Sequence, residues 1–119
     1  MQKFFRGFKF AANGLIYAVK TQLNVRVQLF VVVLIVAAGF LFKISSLEWL
    51  AVVICIGVVL LAELMNTAIE TLVDLVSPEF NPKAGLVKDI AAGAVLIVAL
   101  MAFAVALIIF VPKIFIDAA

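Results

Sequence analysis

Residues 47–76 read LEWLAVVICIGVVLLAELMNTAIETLVDLV, an apolar run that ends in a regular row of polar side chains. Glu63, Asn66, Glu70 and Asp74, the polar stripe, lie within an arc of roughly 80° on one helix face at about 100° per residue. A carboxylate at the centre of a bilayer costs about 2.5–3.5 kcal/mol on insertion scales. Polar residues kept at that cost usually mark a site, so the stripe is the first candidate for function.

Composition indicates one small integral membrane domain. The chain has 119 residues, of which 68% are hydrophobic and 13% charged, with a mean hydropathy of +1.37. Soluble domains are only about 45–50% apolar by a similar count. The net charge of +2 is too small to indicate nucleic-acid binding, and the absence of histidine excludes histidine acid–base catalysis. Cys55, the single cysteine, is expected to pack as a small hydrophobe and cannot form an intrachain disulfide.

The apolar pattern predicts an all-α membrane protein with three transmembrane helices, at about 25–42, 47–76 and 88–111. The last span contains an unbroken apolar run of 22 residues, 90–111, which would rise about 33 Å as a helix and so cross a hydrocarbon core of about 30 Å. A tight turn is expected at Lys43–Glu48 and a loop at Ser77–Gly85, because the latter contains two prolines and an Asn-Pro step.

The N-terminal residues, about 2–21, predict an amphipathic helix that lies in the membrane interface. One side of its helical wheel is apolar and the other side is mostly basic, which is typical of interfacial helices. An ordinary packed helix of a soluble domain is the alternative, but no soluble domain is present for it to pack against. The apolar side contains Phe4, Phe5, Phe8, Ala12, Leu15, Ile16 and Val19, and the polar side Lys3, Arg6, Lys9, Asn13 and Lys20.

The distribution of positive charge predicts the topology. Seven of the nine basic residues precede or begin the first span or lie between the second and third spans, whereas only Lys43 and Lys113 lie on the other side. The positive-inside rule therefore predicts a cytoplasmic N-terminus, a cytoplasmic 77–89 loop and an external C-terminus.

Depth along the second span separates the polar stripe into two zones. If the span enters the outer leaflet near Leu47, about 20 residues bring it to the inner boundary, so Glu63 lies near the depth of a lipid headgroup hydroxyl. Glu70 lies about 10 Å further toward the cytoplasm, where a nucleotide can reach it. This spacing suits phosphoryl transfer, in which Glu63 accepts a hydroxyl proton and Glu70 holds a Mg²⁺ ion on the phosphates. Lys88 and Asp89 add a cation and an anion at similar depth.

Other interpretations of these residues stay open from spacing alone. Glu70 and Asp74 would also suit a solvated helix end, and Lys88 would also suit a topology charge. Glu63 with Asn66 would serve substrate binding, ion transport or helix association equally well.

The residues resemble a known family. The pattern Glu63-x-x-Asn66-x-x-x-Glu70-x-x-x-Asp74, followed by KDIAAGAVLI from Lys88, is similar to that of the prokaryotic diacylglycerol kinases, a family that includes undecaprenol kinases. The resemblance covers nearly the whole chain, and the chain lacks the GxxxxGK[ST] pattern of P-loop kinases. It implies a homotrimer with active sites between subunits, in which ATP phosphorylates a lipid hydroxyl. Diacylglycerol is the expected acceptor, entering laterally from the inner leaflet, and undecaprenol is the alternative.

The resemblance also implies residue roles. Glu63 is the expected catalytic base, with Asn66 lining the same site, and Glu70 the expected ligand of the Mg²⁺ that accompanies ATP. Phe10 stands where a tyrosine can occur, so a hydroxyl contact is lost there. The expected nucleotide-binding set is Lys3, Phe10, Gln22, Glu70, Asp74, Glu79, Phe80, Asn81, Lys88 and Asp89.

One position departs from the family pattern. Many members carry a glutamate as a second metal ligand where this chain has Gln22, and Asn24 and Arg26 fit the family's Asn-x-Arg pattern, which supports the alignment. An amide oxygen can bind Mg²⁺ but brings no charge. Either the metal affinity is lower, or the chain is a catalytically weakened member or a non-catalytic membrane scaffold.

A small transporter subunit with an acidic relay is the alternative from another class of protein, but it would need acidic residues spread through the bilayer depth.

Overall fold

The computed structural model of the protein describes residues 1–117. Within that range the chain forms four helices and no strand: α1 (Gln2–Thr21), α2 (Leu23–Leu41), α3 (Ser46–Val76) and α4 (Pro82–Asp117). By length and composition, α2, α3 and α4 can each cross a membrane. Helices suit these apolar segments because hydrocarbon offers no partners for backbone polar groups. The predicted all-α fold with three apolar spans is confirmed.

Arg26 stabilises the connection between α1 and α2. Gln22 is extended, with φ −113° and ψ 112°, and the last carbonyls of α1 would otherwise lack partners. The Arg26 guanidinium donates to the carbonyls of Val19 and Lys20 at 2.9 and 3.0 Å. The first turn of α2 therefore caps the end of α1. Along α1 itself only Ala18 is buried, and the interfacial position of this helix stays a prediction.

The turn between α2 and α3 is shorter than predicted, because α3 begins at Ser46, inside the predicted turn. Lys43 has a φ of 51°, and the amides of Lys43 and Ile44 donate to the carbonyls of Phe40 and Gly39, which is a Schellman ending. Ser45 then caps α3 in a capping box with Glu48, at 2.9 and 3.2 Å. Glu48 thus belongs to the first turn of α3 rather than to the connecting turn.

The predicted 77–85 loop was also too long, since α4 begins at Pro82. The Asn81 side-chain oxygen accepts from the amide of Lys83 at 2.9 Å, and proline is well suited to the first helical position. At the other end, α4 continues through Pro112 to Asp117, whereas the third span was predicted to end at residue 111. Proline inside a membrane-type helix is tolerated when its surroundings satisfy the freed carbonyl.

The closest packing in the fold is between the antiparallel helices α3 and α4. Their shared core lies at the end of the bundle that contains the α2–α3 turn, where Ile44, Val52, Ile109 and Phe110 are buried. Lys113 donates to Glu48 at 2.8 Å beside this core. At the opposite end, Lys88 pairs with Asp74. One ion pair thus lies at each end of the two-helix unit.

Gly39 permits a close contact that a larger residue would block. A Cβ atom at this position would lie 2.5 Å from Cη2 of Trp49, which is an overlap rather than a contact. We expect Gly39→Ala to lower the free energy of unfolding by about 1–3 kcal/mol, because the indole must shift. Thermal unfolding in detergent measures the change.

Gly57→Ala is the matched control, because nothing lies within 4 Å of a Cβ at Gly57. There the exchange is expected to be neutral or stabilising, by up to about 1 kcal/mol. Equal unfolding temperatures for the two variants would show that the Gly39–Trp49 contact does not constrain the fold.

Candidate active site

Glu63 is the most deeply buried polar side chain of the described residues, with 2% of its surface exposed. Its carboxylate oxygen Oε2 accepts a hydrogen bond from Nε2 of Gln28, on α2, at 3.2 Å. Within residues 1–117, no side chain donates to the other oxygen, Oε1. Oε1 of this buried carboxylate can therefore accept a proton from a ligand, as a general base must.

Asn66 hydrogen bonds to the next carboxylate of the stripe, Glu70. Asn66 is 6% exposed, and its Nδ2 donates to Oε1 of the half-buried Glu70 at 3.3 Å. Its Oδ1 is buried and accepts no hydrogen bond within the described part of the chain. An unpaired buried acceptor costs about 1–3 kcal/mol, so this oxygen favours a ligand that donates a proton or carries positive charge.

Asp74 and Lys88 meet at the far end of the stripe. The Lys88 ammonium donates to Oδ1 of Asp74, and both side chains are partly exposed. Lys88 is thus not an isolated cation, but an ammonium has three donors, and two remain for a phosphate. Asp89, the next residue, is exposed at the start of the apolar part of α4.

Other predicted nucleotide-binding residues do not converge on the stripe within a single chain. Lys3, Phe10, Glu79 and Phe80 are all exposed, Phe80 to 94%. Among residues 1–117, none of them hydrogen bonds to the polar stripe through its side chain. A nucleotide site that uses them would have to be completed by the nucleotide itself or by a second subunit.

Two further members of the predicted set have identifiable structural positions. Gln22 is half-buried in the extended joint between α1 and α2, and no hydrogen bond connects its side chain to Glu70 within the described residues. Asn81 uses its side-chain oxygen to cap α4. A capping role and a nucleotide contact are separable by mutation.

The carboxylates are not arranged as a complete metal-binding site. Among the side chains of residues 1–116, no group of three or more His, Cys, Asp or Glu is placed to hold a metal ion. Mg²⁺ is commonly bound through one or two carboxylates together with substrate phosphates and water. Glu70, with the unpaired Asn66 Oδ1 beside it, therefore fits an ion that arrives with a nucleotide rather than one that resides in the protein.

Gln28 is the residue that the sequence analysis missed. It is not among the predicted site residues, yet it supplies the hydrogen bond to Glu63. An uncharged polar side chain within a membrane span was the available signal, since such residues usually face a partner helix.

Comparisons with known proteins agree on one family. The family model described as prokaryotic diacylglycerol kinase matches residues 9–110. An undecaprenol kinase of Bacillus subtilis (strain 168) is 35% identical over 113 residues, which cover 95% of this chain and 92% of that protein. A diacylglycerol kinase of Synechocystis sp. (strain ATCC 27184 / PCC 6803 / Kazusa) is 36% identical over 96 residues, which cover 80% of this chain and 55% of that protein.

The two roles of Asn81 lead to different outcomes on mutation. Asn81→Ala removes the cap of α4 and is expected to lower stability by about 1 kcal/mol, whereas Asn81→Asp keeps a capping oxygen and should retain stability. Thermal unfolding of both variants in detergent measures this. If Asn81→Ala is as stable as the wild type, the cap does not contribute; a raised KM for ATP in both variants would indicate a nucleotide contact.

Proposed function

Because the chain belongs to the prokaryotic diacylglycerol kinase family, we propose that it transfers the γ-phosphoryl group of ATP to the hydroxyl of a membrane lipid, with Glu63 as the base. Lipid kinase activity follows from the family and from the relatives, both of which are lipid kinases. The observation that supports the assignment of the base is the burial of Glu63 with one carboxylate oxygen committed to Gln28 and the other free of side-chain donors.

The proposed mechanism assigns a role to each residue of the polar stripe. Glu63 accepts the proton of the lipid hydroxyl as the hydroxyl oxygen attacks the γ-phosphorus and the β-phosphate leaves with the bridging oxygen. Asn66, which lies between the two glutamates on α3, donates to Glu70 and leaves its buried Oδ1 free for a ligand. A Mg²⁺ ion on Glu70, when bound with ATP, would neutralise charge on the phosphates. Lys88, held by Asp74, supplies a positive charge at the nucleotide end.

A groove between α1 and α3 supports lateral entry of the lipid. It has a volume of about 580 Å³ and is lined by residues such as Leu15 on α1 and Leu64 and Ala68 on α3. Thr67, one turn after Glu63, also lines it. An apolar groove that includes Leu64 and Thr67, close in sequence to Glu63, suits a substrate whose tail stays in hydrocarbon.

The chain is a membrane protein, and the finer arrangement is part of the proposal. We place the N-terminus and the 77–81 connection on the cytoplasmic side of a bacterial inner membrane, from the distribution of positive charge. The exposed residues of the nucleotide set, such as Lys3 and Phe80, are available to a neighbouring subunit, and the homotrimer is what the family resemblance implies. Polar groups that face a subunit rather than lipid are also less costly.

Two acceptor lipids are supported by different relatives. The relative that matches this chain over nearly the full length of both proteins is named undecaprenol kinase, which supports undecaprenol as the first acceptor to test. Diacylglycerol, the acceptor expected from the sequence, keeps the support of the Synechocystis relative and of the family description.

The acceptor is tested by phosphate transfer from labelled ATP to each lipid, side by side in the same detergent and in bilayers. We expect a higher kcat/KM for undecaprenol than for diacylglycerol. A preference for diacylglycerol would reverse the choice of acceptor and leave the lipid kinase assignment intact. Transfer to neither lipid would contradict the proposal.

The role of Glu63 is tested by Glu63→Gln, which keeps an acceptor oxygen for Gln28 but removes the base. Phosphate transfer is expected to fall by at least about 10²-fold, with the oligomer size on gel filtration unchanged. Glu48→Gln is the matched control, because it is the same change on the same helix in a residue paired with Lys113, away from the stripe. Full activity of Glu63→Gln would refute the assignment of the base.

The metal role of Gln22 is tested by Gln22→Glu. An added carboxylate beside the nucleotide metal should lower the Mg²⁺ concentration that gives half-maximal activity, because it contributes charge that the amide lacks. Asn13→Asp, which adds the same charge on the exposed middle of α1, should leave that concentration unchanged. An unchanged or higher requirement for Gln22→Glu would show that position 22 is remote from the metal.

A further inference from the structure

Gln28 is the residue of α2 whose side chain hydrogen bonds to the candidate base, Glu63. It is half-buried on a helix that is otherwise apolar from Val27 to Leu41, and its Nε2 donates to Oε2 of Glu63 at 3.2 Å. Within residues 1–117 this is the side-chain hydrogen bond that connects α2 to the polar stripe. Its position makes it a candidate for acting on Glu63 rather than on the lipid or the nucleotide.

Stability does not explain a glutamine at this position. The amide oxygen Oε1 of Gln28 is buried and accepts no hydrogen bond from the described residues. Gln28 also lines an apolar cavity of about 320 Å³ between α2, α3 and α4, whose other lining residues are all aliphatic or aromatic apart from Cys55. An apolar side chain would fill such a wall without leaving a buried acceptor unpaired.

The geometry of the carboxylate suggests what the amide does. A glutamate side chain has three rotatable bonds, so without a partner its carboxylate would sample several orientations. With Oε2 held by Gln28, the orientation of Glu63 is restricted, and Oε1 is the oxygen that stays available. A base must hold the accepting oxygen within hydrogen-bond reach of the proton that it removes.

We propose that Gln28 is a positioning residue: its amide N–H holds Oε2 of Glu63 so that Oε1 receives the proton of the acceptor hydroxyl. This inference rests on the proposed role of Glu63 as the base and adds a determinant on a different helix. Gln28 itself does not touch the reacting atoms. Its loss therefore affects the rate of the chemical step and not the binding of either substrate.

Two substitutions remove the donor in different ways. Gln28→Met keeps much of the length without polar atoms, and Gln28→Glu keeps the shape but replaces the amide N–H₂ with a second acceptor. We expect kcat to fall about tenfold or more in Gln28→Met and further in Gln28→Glu, because both leave Oε2 without a donor. The KM values for ATP and lipid should stay within about twofold of wild type.

Thermal unfolding separates positioning from a structural role. Gln28→Met should unfold close to the wild-type temperature, because it removes one buried unpaired acceptor, Gln28 Oε1, but leaves Oε2 of Glu63 without its donor. Val32→Met is the matched control, because Val32 lies one turn further on the same cavity wall and receives the same new side chain. It should keep the wild-type kcat.

The outcomes distinguish this inference from the proposed function. A wild-type kcat in Gln28→Met, together with an inactive Glu63→Gln, would overturn the positioning role and leave the base in place. A parallel loss of kcat and thermal stability in Gln28→Met would show a structural role and would also overturn it. An active Glu63→Gln would remove the base itself, whatever Gln28→Met does.

Discussion

The register between α3 and α4 sets the position of every candidate site residue on these two helices. Glu48 meets Lys113 at one end and Asp74 meets Lys88 at the other, and both pairs correspond to the same antiparallel alignment. The buried pair Val52 and Ile109 agrees with it. Partly exposed ion pairs contribute little free energy, about 0–1 kcal/mol each, so apolar packing supplies most of the stability and the charges select the alignment. A shift of one turn would separate Lys88 from Asp74 at the end of the stripe.

In this alignment of the helices, hydrogen bonds satisfy part of the polar groups of the stripe. Gln28 donates to Glu63 and Asn66 donates to Glu70, so each glutamate of the stripe has one amide partner, whereas Asp74 pairs with Lys88. The amide oxygens of Gln28 and Asn66 are the groups left without partners. Buried polar groups that are only partly satisfied are typical of sites built for a ligand rather than for stability.

Much of the architecture was predictable because membrane helices follow from hydropathy. The three spans were located from apolar runs, but their ends were not, since those depend on capping groups whose signals were present and unused. Ser45 with Glu48 is a capping box, and Asn81 followed by Pro82 is a helix start. The stripe was visible as a spacing of polar residues on one helix. The contact between Gln28 and Glu63 was not visible. A polar side chain in an apolar span indicates a partner helix, but the residue that it meets depends on how α2 and α3 pack.

The length of α3 and α4 has a consequence for the membrane around the protein. At about 1.5 Å per residue, the 31 residues of α3 and the 36 residues of α4 span about 46 and 54 Å, well beyond a hydrocarbon core of about 30 Å. The boundary of the bilayer therefore falls part-way along each helix, and its position depends on how thick the surrounding lipid is. A thicker bilayer would draw Glu63 and Glu70 deeper into hydrocarbon, and a thinner one would expose them to water. The acyl-chain length of the surrounding lipids therefore affects the depth at which a lipid hydroxyl and a nucleotide can both reach these carboxylates.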